Sequence, residues 1–95
     1  MMLTSKQRAR LRSIASTEDT ILQLGTGGVT DSFIKSVDEA LAVREIVKFK
    51  VLENSLTSPR DAAAEVADAL DAEVVTVIGS KAVVYRRSED DILGI

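Results

Sequence analysis

Apolar positions recur along this chain at two spacings, near 3.6 and at 2, and the switches between them predict seven elements. Thr4 followed by Gln7 has capping-box form and starts a first helix running to about Ala15. Leu11, Ile14 and Ala15 share one of its faces, with Leu3 and Gln7 near it. Ile21 to Leu24 reads as a short strand. Thr30 then caps a second helix, with Asp31 in its first turn, where the helix dipole favours an acid. Phe33, Val37, Ala40 and Leu41 form its buried face, with Ile34 beside them. From Glu45 to Leu52 the alternation is strict: Val47, Phe49 and Val51 fall on one side, Lys48 and Lys50 on the other. Ser58-Pro59-Arg60-Asp61 opens a third helix, with a capping serine and proline at the first helical position. Its stripe is Ala63, Val66, Ala67 and Leu70. Val74 to Ile78 and Ala82 to Arg87 flank a Gly79-Ser80 connector and read as a hairpin.

The resulting order is α-β-α-β-α-β-β. Helical connections between successive strands imply parallel neighbours with right-handed crossovers, and the terminal hairpin adds one antiparallel strand. Each helix has one face to bury, while the lysine side of the second strand is polar. The expected class is therefore α/β, a two-layer sandwich with the helices on one face of a four-stranded mixed sheet and the other face open. Residues 1–95 suit a single domain large enough to bury a core without a metal or disulfide staple.

Charge changes this picture more than composition does. The net charge is −3, which argues mildly against indiscriminate nucleic-acid binding. Its distribution is polarised: up to Ser16 the charged residues are Lys6, Arg8, Arg10 and Arg12, whereas Asp61, Glu65, Asp68, Asp71 and Glu73 follow one another without a cation between them. Glu89, Asp90 and Asp91 add to the acidic part. Lys6/Arg10 and Arg8/Arg12 are spaced i,i+4 and flank the apolar stripe on its two sides. They read either as solvated surface or as a basic face. The acids of the third helix should repel a polyanion and mark the back of the molecule.

Cysteine and histidine are both absent, so disulfides, thiolate nucleophiles and zinc sites built from these ligands are excluded. Without His, Cys or a paired nucleophile and base, no catalytic residue is nominated and no enzyme is expected. No metal or cofactor is expected either. No apolar run has the length of a membrane span, and the N-terminus lacks the apolar region of a secretory signal, so the expectation is a cytoplasmic protein without membrane contact.

The candidate chemistry lies in Gly25-Thr26-Gly27-Gly28, between the first strand and the second helix. Glycine allows a ligand close to the backbone, and a helix start offers unpaired N–H groups to a phosphate. The same residues also describe an ordinary tight turn. Tyr85-Arg86-Arg87 reads either as a base-stacking aromatic with phosphate-holding cations or as a strand aromatic filling a sheet edge.

Taken in order, Leu3-Thr4-Ser5-Lys6-Gln7-Arg8, Gly25-Thr26-Gly27-Gly28 with Val29-Thr30, Glu39-Ala40-Leu41, Glu45 to Val51, Val77-Ile78-Gly79 and Val84-Tyr85-Arg86 resemble the CRM domain, the YhbY-type RNA-binding family. The resemblance covers nearly the whole chain. It implies a fold like the C-terminal domain of bacterial translation initiation factor 3, with strand order 1-2-4-3 and the last strand antiparallel to the others. It also implies an RNA partner: stand-alone bacterial members associate with precursor large ribosomal subunits and are implicated in their assembly. The family's RNA contact falls on Gly25, Thr26, Gly27 and Gly28. Charge placement extends the expected contact to Lys6, Arg8, Arg10, Arg12, Lys48, Lys50 and Arg86. The expectation is thus a monomeric RNA-binding protein acting on large-subunit rRNA or a pre-ribosomal particle. The acidic balance and the uncharged Thr26-Gly27 pair motivate an alternative, a protein-interaction module on the same fold.

Overall fold

In the computed structural model, residues 3–95 are described. Helix α1 (Ser5–Ala15) starts at Thr4 with both halves of the capping box formed: the Gln7 N–H donates to the Thr4 hydroxyl at 3.1 Å, and the Thr4 N–H donates to the Gln7 side chain at 2.9 Å. Strand β1 (Thr20–Leu24) leads through the glycine-rich turn to α2 (Asp31–Arg44), where the Thr30 hydroxyl accepts the Phe33 N–H. Strand β2 (Ile46–Val51) is followed by α3 (Pro59–Leu70), with Ser58 at its N-cap. Strands β3 (Glu73–Ile78) and β4 (Lys81–Tyr85) form the terminal hairpin.

The sheet order is β1-β2-β4-β3. β1 and β2 are parallel, and β4 runs antiparallel to both β2 and β3. Class, element order and strand order are those expected. α2 and α3 cover one face, burying Leu24, Val47, Phe49, Val51, Ala82 and Val84. Phe33 of α2 meets Phe49 edge-to-face, with centroids 5.3 Å apart and planes at 78°, which fixes α2 over the middle of the sheet.

One part of the expected layering is corrected: the helices are not all on one face. α1 lies against the opposite side, where Leu3, Leu11 and Ala15 pack on Ile46, Val75, Val83 and Tyr85. The cause is in the strands. β4 is an unbroken apolar run, Ala82 to Tyr85, as expected of a central strand buried on both faces, and Ile46 extends that second apolar patch into β2. A bulge between Val74 and Thr76 adds a residue to β3 and turns Val75 toward α1. The polar part of this face, carrying Lys50 and Lys81, lies outside that apolar patch and stays exposed.

Past β4 the chain folds back under α1. Leu93 and Ile95 pack against the α1-side cluster, and the buried Glu45 carboxylate accepts hydrogen bonds from the Ser88 N–H (2.7 Å), the Ser88 hydroxyl (2.5 Å), the Ile92 N–H (3.0 Å) and the Leu93 N–H (2.9 Å).

Candidate nucleic-acid interface

Because β1 and β2 are parallel and β4 is antiparallel to them, three connections meet at one end of the sheet. They are the Gly25–Gly28 turn, the loop after β2 and the β3–β4 hairpin. Backbone bonds knit them together: the Leu52 N–H donates to the Leu24 carbonyl (3.1 Å), Leu56 to Thr26 (3.2 Å) and Val51 to Ser80 (2.7 Å).

The Gly28 N–H donates to the Gly25 carbonyl at 3.3 Å, closing a four-residue β-turn with Thr26 and Gly27 at its tip. Among the described residues, the N–H groups of Thr26 and Gly27 donate to no protein atom. The glycines have different reasons to be glycine. Gly28 is buried at φ +76°, and a Cβ there would stand 2.8 Å from the Thr57 hydroxyl. A Cβ at Gly25 or Gly27 would meet nothing within 4 Å, so the fold itself does not ask for glycine at either. What these two do is leave the turn's backbone bare. The start of α2 is less of an anion site than its sequence implied, since Thr30 already caps it and Asp31 stands in its first turn.

Beside this turn, strand register lays out two cross-strand rows on the α1 side of the sheet. The outer row is Gln23, Lys50, Lys81 and Ile78, one residue from each strand, all exposed. The inner row is Thr20, Lys48, Val83 and Thr76, at the C-terminal end of α1. Lys48 Nζ donates to the Ala15 carbonyl at 3.2 Å and to the Glu18 carbonyl at 3.4 Å, so it caps α1 while lying beneath the cationic row. Between the end of α1 and these rows runs a groove that Arg12 lines from α1 and Lys48, Lys81 and Val83 line from the sheet.

The structure does not bring the remaining cations together there. Lys6 and Arg10 are exposed on α1, and Arg8 donates to the Val74 carbonyl of β3, tying helix to sheet. Arg86 lies just beyond β4, away from the turn. It bonds the Asp38 carboxylate at 2.7 Å, the Asp38 carbonyl at 3.1 Å and the Leu70 carbonyl at 3.3 Å. Through these bonds together, Arg86 clasps α2 to the end of α3. Tyr85 is fully buried in the α1-side cluster, and burial pushes its hydroxyl above the ordinary 10.0, so it takes the strand-aromatic role rather than the stacking one. The acids Asp61, Glu65 and Asp68 are exposed on α3 and Asp71 at its C-cap, across the sheet from the lysine row. Asp31 and Glu53 are the acids near the turn itself. Among the described residues, no group of three or more His, Cys, Asp or Glu side chains could hold a metal ion, and no helix is long and apolar enough to cross a membrane.

Comparison with known proteins places this geometry in a family. Residues 3–86 match the CRS1 / YhbY (CRM) domain. The chain belongs to the CRM domain family. Over 90 residues it is 39% identical to the Bacillus subtilis protein named Probable RNA-binding protein YqeI, spanning 95% of this chain and 94% of that one. It is 34% identical over 89 residues to Probable RNA-binding protein MJ0652 of Methanocaldococcus jannaschii, spanning 92% of this chain and 66% of that longer protein. The solution structure of the hypothetical protein SAV1595 from Staphylococcus aureus matches it with a TM-score of 0.71 at 42% identity, covering 93% of this chain and 92% of the other.

For this CRM domain, sequence reasoning did not nominate Lys81. The signal that finds it is register: β4 pairs antiparallel with the distant β2, which sets Lys81 directly opposite Lys50, and that pairing is not visible from either residue alone.

Proposed function

We propose that this chain is a non-enzymatic RNA-binding protein that holds RNA through its Gly25–Gly28 turn and the lysine row beside it, and that it acts on large-subunit rRNA within a precursor particle. The observation that carries this reading is one juxtaposition. Among the described residues, an exposed turn with two free N–H groups stands at the same end of the sheet as Lys50 and Lys81, which lie opposite each other on adjacent strands without an acid paired to either. Turn N–H groups suit one phosphate, and the flanking cations suit its neighbours along the strand. The printed names of the Bacillus and Methanocaldococcus relatives support RNA as the partner class. The choice of large-subunit rRNA rests on the family resemblance.

The test is a titration of a large-subunit rRNA fragment at several salt concentrations. Neutralising about three to four phosphates gives a slope of log affinity against log salt of about −2 to −4. Lys50→Glu with Lys81→Glu weakens binding and flattens the slope. A flat wild-type slope, or unchanged affinity in the double variant, refutes the reading. A cellular complex that survives complete RNA digestion supports the protein-interaction alternative instead.

A further inference from the structure

We propose that the groove between the end of α1 and the uncovered part of the sheet seats one unstacked nucleobase of a single-stranded RNA segment. The inference rests on the RNA-binding reading and adds to it a base-sized seat separate from the glycine turn. The groove has a volume of about 260 Å³. That is below the range of about 300–1,000 Å³ usual for whole small-molecule sites, and it suits one flat ring with its phosphates left outside.

Its lining divides by chemistry. Ala15 and Val83, both buried, make an apolar floor, and Ile78 makes an apolar wall that is 73% exposed. Thr76 adds a hydroxyl, while Arg12 and Lys81 stand at the rim with no acid paired to either among the described residues. Lys48 is fixed beneath by its bonds to the Ala15 and Glu18 carbonyls, which hold the helix end and the sheet at a set separation. Among the described residues, no carboxylate lines the groove. A phosphate alone gains nothing from the apolar floor, and an aliphatic ligand gains nothing from the cationic rim. A nucleobase with its backbone satisfies both. A duplex keeps its bases stacked inside, so the segment that fits is a single strand, loop or bulge whose base can be splayed out. The groove also continues the outer lysine row, so a strand tracked by Lys50 and Lys81 passes its mouth.

The experiment compares a labelled single-stranded RNA oligonucleotide with an abasic ribose-phosphate strand of equal length and charge, at one fixed salt concentration. The intact strand is expected to bind about fivefold more tightly, as burying about 40 Å² of apolar surface between one base and the groove's aliphatic side chains would give. Ile78→Ala, a change at an exposed position, is expected to erase most of that preference while leaving abasic affinity and salt slope as in the wild type. In methyl NMR spectra, Ile78 and Val83 signals shift with the base-bearing strand and stay in place with the abasic one. Equal wild-type affinity for the two strands, or an Ile78→Ala variant that keeps the preference, overturns the base seat and leaves the RNA reading standing. Failure of the wild type to bind either strand or the rRNA fragment overturns both. A dimer in solution that Ile78→Ala dissociates assigns the groove to a second copy of the chain and overturns the proposal.

Discussion

At the end of α2 the chain turns on Glu45, a buried non-glycine residue at φ 68°. Such a conformation costs about 1–3 kcal/mol and persists only where the surroundings hold it. Here they do so from both sides: the Glu45 N–H donates to the Leu41 carbonyl, its carbonyl accepts the Arg86 N–H, and its carboxylate takes four bonds from the C-terminal segment. Burial alone would push this carboxyl up. The hydrogen bonds from the Ser88 hydroxyl and from the Leu93, Ser88 and Ile92 N–H groups outweigh burial and hold it below its ordinary 4.5. A carboxyl whose folded value is lowered contributes stability that is present above the ordinary value and is lost as pH falls through the folded one. Glu45→Gln swaps an acceptor oxygen for an NH2 facing donors, and is expected to cost about 1–3 kcal/mol at neutral pH. Wild-type stability, measured by urea unfolding, should therefore fall toward that of the variant as pH drops below about 4.5. Parallel pH curves for the two proteins would refute the role given to this carboxylate.

The glycine turn, taken as an element, separates what folding needs from what a ligand needs. Gly28→Ala must adopt a left-handed φ beside the Thr57 hydroxyl and is expected to cost about 1–2 kcal/mol. Gly25→Ala meets open space and should leave the melting temperature within error. It nonetheless puts a methyl group on the bare turn, so rRNA affinity should drop severalfold with stability unchanged; equal effects of the two variants on stability would contradict this division. Local signals of this kind made most elements legible in the sequence. Thr4 with Gln7, Thr30, and Ser58-Pro59 each start a helix through bonds within four residues, and the alternation in β2 gave its two faces directly. What the sequence did not reveal depends on distant partners. α1 lies on the second sheet face because Ile46, Val75, Val83 and Tyr85 come together from three strands. Arg86, read as a free cation beside Tyr85, is neutralised by Asp38, which lies on another element and is brought close only by the packing of α2 and α3. In the candidate interface, the turn and Lys50 were legible, whereas Lys81 required the long-range register of β4 against β2.

Over the whole molecule, net charge and local charge point in opposite directions. The protein is acidic, yet its acids on α3 lie behind the sheet while Lys50 and Lys81 stand side by side in front. Like charges directly opposite each other on neighbouring strands, about 4.8 Å apart, destabilise the free protein. This arrangement is unfavourable in isolation and favourable once a polyanion lies across it. The consequence is a measurable opposition between stability and binding. Lys81→Gln should raise stability at low ionic strength by about 0.2–1 kcal/mol, and Lys50→Gln should do the same. The double variant should gain little beyond either single one, because each already removes the repulsion. Near 1 M salt, where the screening length is about 3 Å, the gain should shrink toward zero. The same substitutions should weaken rRNA binding and make the salt slope shallower by about 1 per lysine removed. Urea unfolding at two salt concentrations, paired with RNA titrations of the same three variants, reads both halves. Variants that gain stability without losing RNA affinity would mean that the opposed lysines are merely strained surface, and the polyanion would then have to be held elsewhere on the molecule.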